Sequence, residues 1–207
     1  MKFPIKKYKN TSDFTDDYFQ SLFKASIKIN KKELEKIIDA IEKNYKSNLN
    51  KTFVCGNGGS TALANHFACD HQKILFETNK IKPNVISLSS NGSLMTAISN
   101  DNSFERVFED QIKYYAKKND ILFVISSSGN SRNVVNAIKL ANKKKLITIS
   151  LTGFNGGTCR KISKFNIHVP SKNYGIIEAT HHSIMNIISQ YIKNKILNKK
   201  EISRTIF

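Results

Sequence analysis

Residues 52–70 read TFVCGNGGSTALANHFACD, and this stretch predicts a strand, a glycine turn and a helix in that order. Thr52–Cys55 is a short run of strand-forming residues, and the glycine-rich GNGG interrupts it. Good helix formers follow to about Cys69, and Ser60 or Thr61 is expected to cap that helix. Because a first helical turn presents free N–H groups and a positive dipole end, we expect phosphate or another anion to bind at this turn.

A second strand–loop–helix unit with the same chemistry lies farther along the chain. Ile121–Val124 is an apolar strand, residues 125–131 read ISSSGNS, and a helical pattern covers residues 134–142. One glycine loop is weak evidence, whereas two such units that both carry hydroxyl groups form a specific pattern. Hydroxyl and backbone N–H groups at a helix start bind phosphate without Lys or Arg. The candidate substrate-binding residues are Asn57, Gly58, Gly59, Ser60, Ser126, Ser127, Ser128, Asn130 and Ser131.

Strand and helix patterns alternate through the rest of the chain. Further strands are predicted at 83–88, 146–151 and 165–169, and helices at 104–117 and 175–195. This alternation predicts an α/β fold with a parallel sheet covered by helices on both faces. Ligands of such sheets bind beyond the carboxyl ends of the strands, where both polar loops lie.

The first 45 residues carry no chemistry of their own. We expect residues 1–10 to form a basic, loosely held arm and two amphipathic helices to follow it, within the same unit and packed in the core or between subunits. Residues 46–207 then form the α/β domain. The sequence contains no internal repeat and no linker between two domains.

The composition excludes several classes of protein. The chain has 207 residues, enough for one domain with a full core, and no apolar run long enough to span a membrane. The net charge of +17 comes from Lys residues spread along the chain, without an aromatic–basic RNA signature or a zinc finger, so we expect no specific nucleic-acid partner. Three widely spaced cysteines and the absence of a signal segment indicate a cytoplasmic protein without disulfides. A positive field would attract a phosphorylated substrate.

Four segments in this order and spacing resemble the sugar isomerase (SIS) family, and within it the phosphoheptose isomerases. They are CGNGGS (55–60), HFACD (66–70), ISSSGNSRNVV (125–135) and ITISLTGFNGG (147–157). The resemblance implies an α/β SIS fold, a three-layer αβα sandwich around a parallel sheet of about five strands with N-terminal helices. It also implies a homo-oligomer, usually a tetramer, whose Ser126, Ser128 and Ser131 hold a sugar phosphate while Ser60 contacts the substrate.

Interconversion of an aldose and a ketose moves a proton between neighbouring carbons and another between their oxygens. A carboxylate and an imidazole suit these roles. His66 and Asp70 are four residues apart and share one face of the helix after the glycine turn, and Glu178 and His181 are three apart on the last helix. The candidate catalytic residues are therefore Glu178, His181, His66 and Asp70. His71 and His182 are expected at the surface or at an interface.

The chain departs from the family pattern at the positions that bind zinc in the metal-binding members. The resemblance places a His, a Glu, a Gln and a distal His at that site, and this chain has His66, Asp70, Ile177 and Met185 there. Ile and Met offer no ligand that zinc favours. We therefore predict no family-type metal site and no cofactor, and a rearranged acid–base pair of Glu178 and His181.

These observations lead to one hypothesis and two alternatives. The first is an isomerase that converts sedoheptulose 7-phosphate to D-glycero-manno-heptose 7-phosphate for surface-glycan synthesis. The second is a non-catalytic SIS protein that binds a phosphosugar or a replication initiator, a role that altered catalytic positions would suit. The third is an isomerase of another sugar phosphate.

Overall fold

The computed structural model describes all 207 residues and contains five strands and nine α-helices. The strands are short, apolar and almost entirely buried, which is typical of a parallel sheet covered on both faces. They are β1 (Thr52–Gly56), β2 (Val85–Ser87), β3 (Ile121–Ser126), β4 (Ile147–Thr152) and β5 (Phe165–His168). The helices are α1 (Thr11–Ser26), α2 (Lys31–Lys46), α3 (Gly59–Phe76), α4 (Gly92–Asp101), α5 (Glu109–Tyr115), α6 (Arg132–Lys143), α7 (Gly157–Ile162), α8 (Tyr174–Ile196) and α9 (Lys199–Ile202).

The five strands form one parallel sheet in the order β2-β1-β3-β4-β5. The strand order reverses between β1 and β3, and the polar loops predicted from the sequence follow these two neighbouring strands. A crevice opens at such a reversal because the connections on either side leave toward opposite faces of the sheet. The topology therefore brings the glycine turn and the serine loop side by side.

Alternating residues of the central strands divide the core into two layers. Val54 and Phe123 face a cluster formed with α1, α2, α3 and α8. Phe53 and Leu122 face a cluster formed with α4, α5, α6 and α7. The predicted three-layer αβα sandwich with a parallel sheet and N-terminal helices is confirmed.

Two expected helix boundaries are corrected. The helix after the glycine turn continues to Phe76 rather than ending near Cys69. The helix predicted over 104–117 is a 3₁₀ turn at Phe104–Arg106 followed by α5, because Val107 and Phe108 turn inward between them and are fully buried.

The N-terminal arm is anchored rather than loose. Phe3 is buried and packs on the rings of Tyr8, Phe14 and Tyr18, and the Lys172 backbone N–H donates to the Met1 carbonyl at 2.7 Å. None of the helices has both the length and the apolar character that a membrane crossing requires.

Candidate active site

A cavity of about 160 Å³ lies beyond the carboxyl ends of β1 and β3. Four serines and Asn57 come from the two loops, and α8 closes the opposite side with two side chains. The lining residues are Asn57, Ser60, Ile125, Ser126, Ser127, Ser128, Ser131, Tyr174 and Glu178. Glu178 is the only charged residue among them, so the cavity combines many neutral hydrogen-bonding groups with a single carboxylate.

The glycine turn is shaped by backbone geometry and not by side-chain caps. Gly58 occupies the N-cap position of α3 with φ of 54°, and no side chain caps the helix there. The expectation that Ser60 or Thr61 caps the helix is therefore wrong: Ser60 is already inside α3 and lines the cavity, and the Thr61 hydroxyl donates to the Gly56 carbonyl at 2.7 Å. With no side chain on the N-cap, the start of α3 stays open toward the cavity.

An amide pair locks the two loops together. Asn57 and Asn133 each donate to the other's side-chain oxygen at 2.8 Å. Asn133 is buried in the first turn of α6, and its oxygen also accepts from the Val134 backbone N–H. Asn57 thus fixes the spacing between the loops in addition to lining the cavity.

The serine loop divides its hydroxyl groups between internal and open positions. The Ser126 hydroxyl accepts from the Gly129 backbone N–H at 3.1 Å, which closes the turn. Ser127 Oγ is buried and has no hydrogen-bond partner in the protein. Ser131 is the N-cap of α6, and its side chain makes no capping bond. Because a buried hydroxyl without a partner is costly, Ser127 Oγ is a candidate donor to a ligand in the cavity.

The 153–157 loop supports the serine loop from behind. The Gly153 N–H donates to the Ser127 carbonyl at 2.8 Å, and the Cys159 N–H donates to the Gly129 carbonyl at 2.9 Å. Asn130 lines a neighbouring cleft, and its side-chain oxygen accepts from the Thr158 backbone N–H. The structure thus places Asn130 beside the cavity, where it ties the two loops together.

Glu178 faces the glycine turn across the cavity. A Cβ atom built on Gly59 would lie 3.2 Å from one Glu178 carboxylate oxygen and 3.4 Å from the other. The exposed Gly59 therefore forms the wall against which this carboxylate lies, whereas a Cβ on the exposed Gly58 would meet nothing within 4 Å. A carboxylate in a cavity lined by hydroxyls is placed to remove a proton from a bound substrate.

The predicted partner of Glu178 is not in the cavity. His181 is fully buried, and neither of its ring nitrogens has a hydrogen-bond partner. Burial lowers the pKa of His181 to about 4, since the charged imidazolium is disfavoured away from water. A step of three residues rotates the side chain out of line with Glu178 and into the stripe of α8 that covers the sheet. The predicted Glu178–His181 pair is therefore not formed.

The next histidine, His182, faces α3 instead, one helical turn beyond Glu178 and outside the residues that line the cavity. Its Nε2 atom is 2.9 Å from His66 Nδ1, and His66 Nε2 is 2.9 Å from Asp70 Oδ2. His66 and Asp70 do share one helix face, as their spacing predicts. His182 follows Glu178 at a spacing of four residues, which places both side chains on the side of α8 that meets α3. Spacings of three and of four residues both keep side chains on one helix face, so spacing alone did not separate His182 from His181.

His71 is not at the surface, contrary to expectation. It is buried, its ring stacks on Phe67 with 3.8 Å between centroids, and its Nδ1 atom is 2.7 Å from the Tyr45 hydroxyl. Burial lowers the pKa of His71 to about 3. This residue belongs to the core between α2 and α3.

The side chains at the family zinc positions do not fit a metal ion. Ile177 and Met185 are both buried in the apolar cluster beneath α8, and neither offers an oxygen or nitrogen ligand. No three His, Cys, Asp or Glu side chains are placed so that they could share a metal ion.

Comparison with known proteins identifies the family. The SIS-domain profile matches residues 16–153. The phosphoheptose isomerase of Synechocystis sp. is 32% identical over 191 residues, which cover 92% of this chain and 97% of the relative. That of Aliarcobacter butzleri is 40% identical over 149 residues, 72% of this chain and 78% of the relative.

Solved structures agree with this assignment. A phosphoheptose isomerase from Francisella tularensis superimposes with a TM-score of 0.81 at 28% identity, covering 89% of this chain and 99% of that one. The Neisseria gonorrhoeae phosphoheptose isomerase gives a TM-score of 0.78 at 28% identity over 88% of this chain and 99% of that one. The chain therefore belongs to the SIS-domain family and, within it, to the phosphoheptose isomerases.

Proposed function

We propose that this chain isomerises sedoheptulose 7-phosphate to D-glycero-manno-heptose 7-phosphate. The observation that carries the proposal is the cavity at the β1–β3 reversal, where the unpartnered Ser127 hydroxyl and the Glu178 carboxylate face the same enclosed space. One end offers neutral donors for a phosphate, and the other offers a base for a carbon acid.

The serine loop would hold the phosphate. The hydroxyls of Ser127 and Ser131 are free to donate, and the open first turn of α6 adds backbone N–H groups with a favourable dipole. No Lys or Arg lines this cavity, and Lys172 lies in the neighbouring cleft. The net charge of +17 favours the approach of the anionic substrate over longer distances.

Glu178 would act as the base. The carboxylate removes a proton from C1 of the ketose, the electrons pass to the C2 carbonyl oxygen, and an enediol results. Return of the proton to C2 gives the aldose. A base positioned in this way contributes about 10²- to 10⁴-fold to the rate.

We also propose that the enzyme is a cytoplasmic homotetramer whose product feeds heptose synthesis for lipopolysaccharide, capsule or another surface glycan. Association is supported by α1, where Phe19, Phe23 and Ile27 form an apolar stripe at helical spacing and remain 61%, 64% and 51% exposed. Sedimentation equilibrium would measure the mass, and a monomer would contradict this part of the proposal.

NMR of the EDTA-treated protein with sedoheptulose 7-phosphate in D₂O tests the activity. We expect new aldose signals that carry deuterium at C2, because the abstracted proton exchanges with solvent at the enediol stage. Absence of both product and exchange, while the sugar phosphate still raises the melting temperature, would rule out the isomerase. That outcome would favour a binding protein or an isomerase of another sugar phosphate, which a panel of pentose and hexose phosphates would separate.

A further inference from the structure

Three side chains at the contact of α3 and α8 form a continuous hydrogen-bonded chain. Asp70 Oδ2 lies 2.9 Å from His66 Nε2, and His66 Nδ1 lies 2.9 Å from His182 Nε2. The two imidazole rings meet edge to face with centroids 4.7 Å apart. Both nitrogens of the middle ring are therefore in use, and the chain has one open end, at His182.

Hydrogen-bonding rules fix the order of protons along this chain. An ionised Asp70 can only accept, so His66 Nε2 carries a proton and donates to it. With His66 neutral, its Nδ1 is an acceptor, and His182 Nε2 carries the proton that is donated to it. The remaining nitrogen, His182 Nδ1, makes no hydrogen bond to the protein and holds a free lone pair. The chain thus ends in a basic nitrogen.

The open end lies on the side of α8 that carries Tyr174 and Glu178, one helical turn outside the lining of the cavity. Tyr174 and Glu178 line the cavity, and His182 is the next residue at a spacing of four on the same side of the helix. Four residues advance a helix by roughly 6 Å, so His182 lies one turn beyond Glu178 and farther from the serine loop. In a heptose 7-phosphate the phosphate and the reacting C1 and C2 atoms are at opposite ends of the carbon chain. A group that acts on C1 and C2 is therefore expected farther along α8 than the end of the site that holds the phosphate.

We propose that His182 is the second acid–base residue of the isomerisation and that His66 and Asp70 position it. This inference rests on the proposed function and deepens it by assigning the group that transfers the proton between the substrate oxygens. His182 takes over the role that the sequence pattern assigned to His181.

The assigned step balances without a metal or any other reactant. Glu178 takes the proton from C1 as the C1–C2 double bond forms and the carbonyl electrons move to O2. His182 Nδ1 takes the proton from the O1 hydroxyl and delivers it to O2. Glu178 then returns its proton to C2 as the C1–O1 double bond forms. The imidazolium that exists in between is stabilised by the Asp70 carboxylate through His66.

Kinetics of His182 variants test the role, with sedoheptulose 7-phosphate as substrate. We expect His182→Ala and His182→Gln to lower kcat about 100-fold while KM changes less than about threefold, as for loss of a general acid–base group. Ser183→Ala is the matched control, since Ser183 is exposed on the same helix turn and bonds only to the Ala179 carbonyl. Deuterium uptake at C1 of recovered ketose reports the Glu178 step and should fall less than product formation does.

The positioning role of Asp70 has a spectroscopic signature. In ¹⁵N spectra of the histidine rings, we expect His182 in the Nε2–H form in the wild type. In Asp70→Asn the amide can donate to His66 Nε2, which reverses every bond and moves the His182 proton to Nδ1. When the hydrogen bonds are reversed in this way, His182 Nδ1 carries a proton and can no longer act as a base. We therefore expect kcat to fall about as far as in His182→Ala.

Several outcomes would overturn the inference, and they differ from failure of the proposed function. If the wild-type enzyme turns over and His182→Ala and His182→Gln retain activity within about threefold, only the role of His182 fails. If the wild-type protein neither turns over nor exchanges the C1 proton, the proposed function fails and the proton role fails with it. Stoichiometric zinc in the wild-type protein that is lost in His182→Ala would assign the residue to metal binding instead.

Discussion

The serine loop after β3 and the facing surfaces of α3 and α8 lie at two ends of one site but are built from different groups. The loop offers hydroxyls and backbone N–H groups, none of which titrates near neutral pH. It is held in place by the Asn57–Asn133 amide pair and by the hydrogen bond between Cys159 and Gly129. The helix pair offers Glu178, His66 and His182, which are side chains that exchange protons.

This difference separates binding from chemistry within one cleft. Damage to the loop should weaken binding of the phosphate at every pH, whereas changes on the helices should lower turnover and leave binding nearly intact. Such a division suits catalysis, because binding energy from a remote phosphate can orient the reacting carbons against the acid–base groups.

The largest expected effect is on the helix side. Glu178→Gln removes the base and keeps the size of the side chain, so kcat should fall about 1,000-fold with KM changed by less than about threefold. Steady-state kinetics would measure the loss of catalysis, and calorimetric titration with inorganic phosphate would measure phosphate binding at the serine loop. Glu77→Gln, an exposed position, is the control. Loss of phosphate binding in Glu178→Gln would show that the two ends are not independent.

The second-largest effect is expected from a change in the backbone of the serine loop. Gly129 has φ of 65°, and a Cβ there would lie 2.1 Å from the Gly156 carbonyl oxygen. Gly129→Ala should therefore cost about 3 kcal/mol and abolish phosphate binding, because the serine loop must move away from the 153–157 loop. Gly92→Ala is the matched control, since a Cβ at Gly92 meets nothing within 4 Å. Urea unfolding of both variants checks this, and equal stability would mean that the loop contact is dispensable.

Much of the loop side could be predicted from sequence, and so could Glu178 and the His66–Asp70 pair, whereas the choice of histidine on α8 could not. The glycine turn and the serine loop are local patterns, and a parallel sheet places both loops at one edge whatever the details of packing. The choice between His181 and His182 depends on how α8 is rotated over the sheet, since one residue turns a side chain by about 100°. That rotation is set by the fit of Ile177, Met185 and their neighbours against the core, which a single sequence does not display.

The two buried histidines, His71 and His181, are expected to affect the stability of the protein rather than its activity. Burial lowers the pKa of His71 to about 3 and that of His181 to about 4, from an ordinary value of 6.5. Below pH 6.5 these histidines therefore bind protons in the unfolded chain but not in the folded chain. The free energy of unfolding consequently falls as the pH falls. Between pH 7 and pH 5.5 the two residues together should lower the free energy of unfolding by roughly 2 to 3 kcal/mol.

Urea unfolding at several pH values measures this dependence. His181→Leu should remove about half of the loss between pH 7 and pH 5.5, because one of the two buried titrating groups is gone. An unchanged pH dependence in His181→Leu would mean that other groups, and not the ring beneath α8, control acid stability.

The smallest effect is a single hydrogen bond on the loop side. Ser127 Oγ is buried without a partner, so Ser127→Ala removes an unsatisfied group and should leave the free protein equally stable or slightly more so. The same substitution removes a donor to the phosphate and should raise KM about tenfold, the equivalent of about 1.4 kcal/mol, with kcat unchanged. Ser163→Ala is a matched control, because Ser163 Oγ is also buried and unpartnered but lies outside the site. If both variants bind phosphate as the wild type does, the missing partner of Ser127 is not a phosphate, and the loop side would need another ligand.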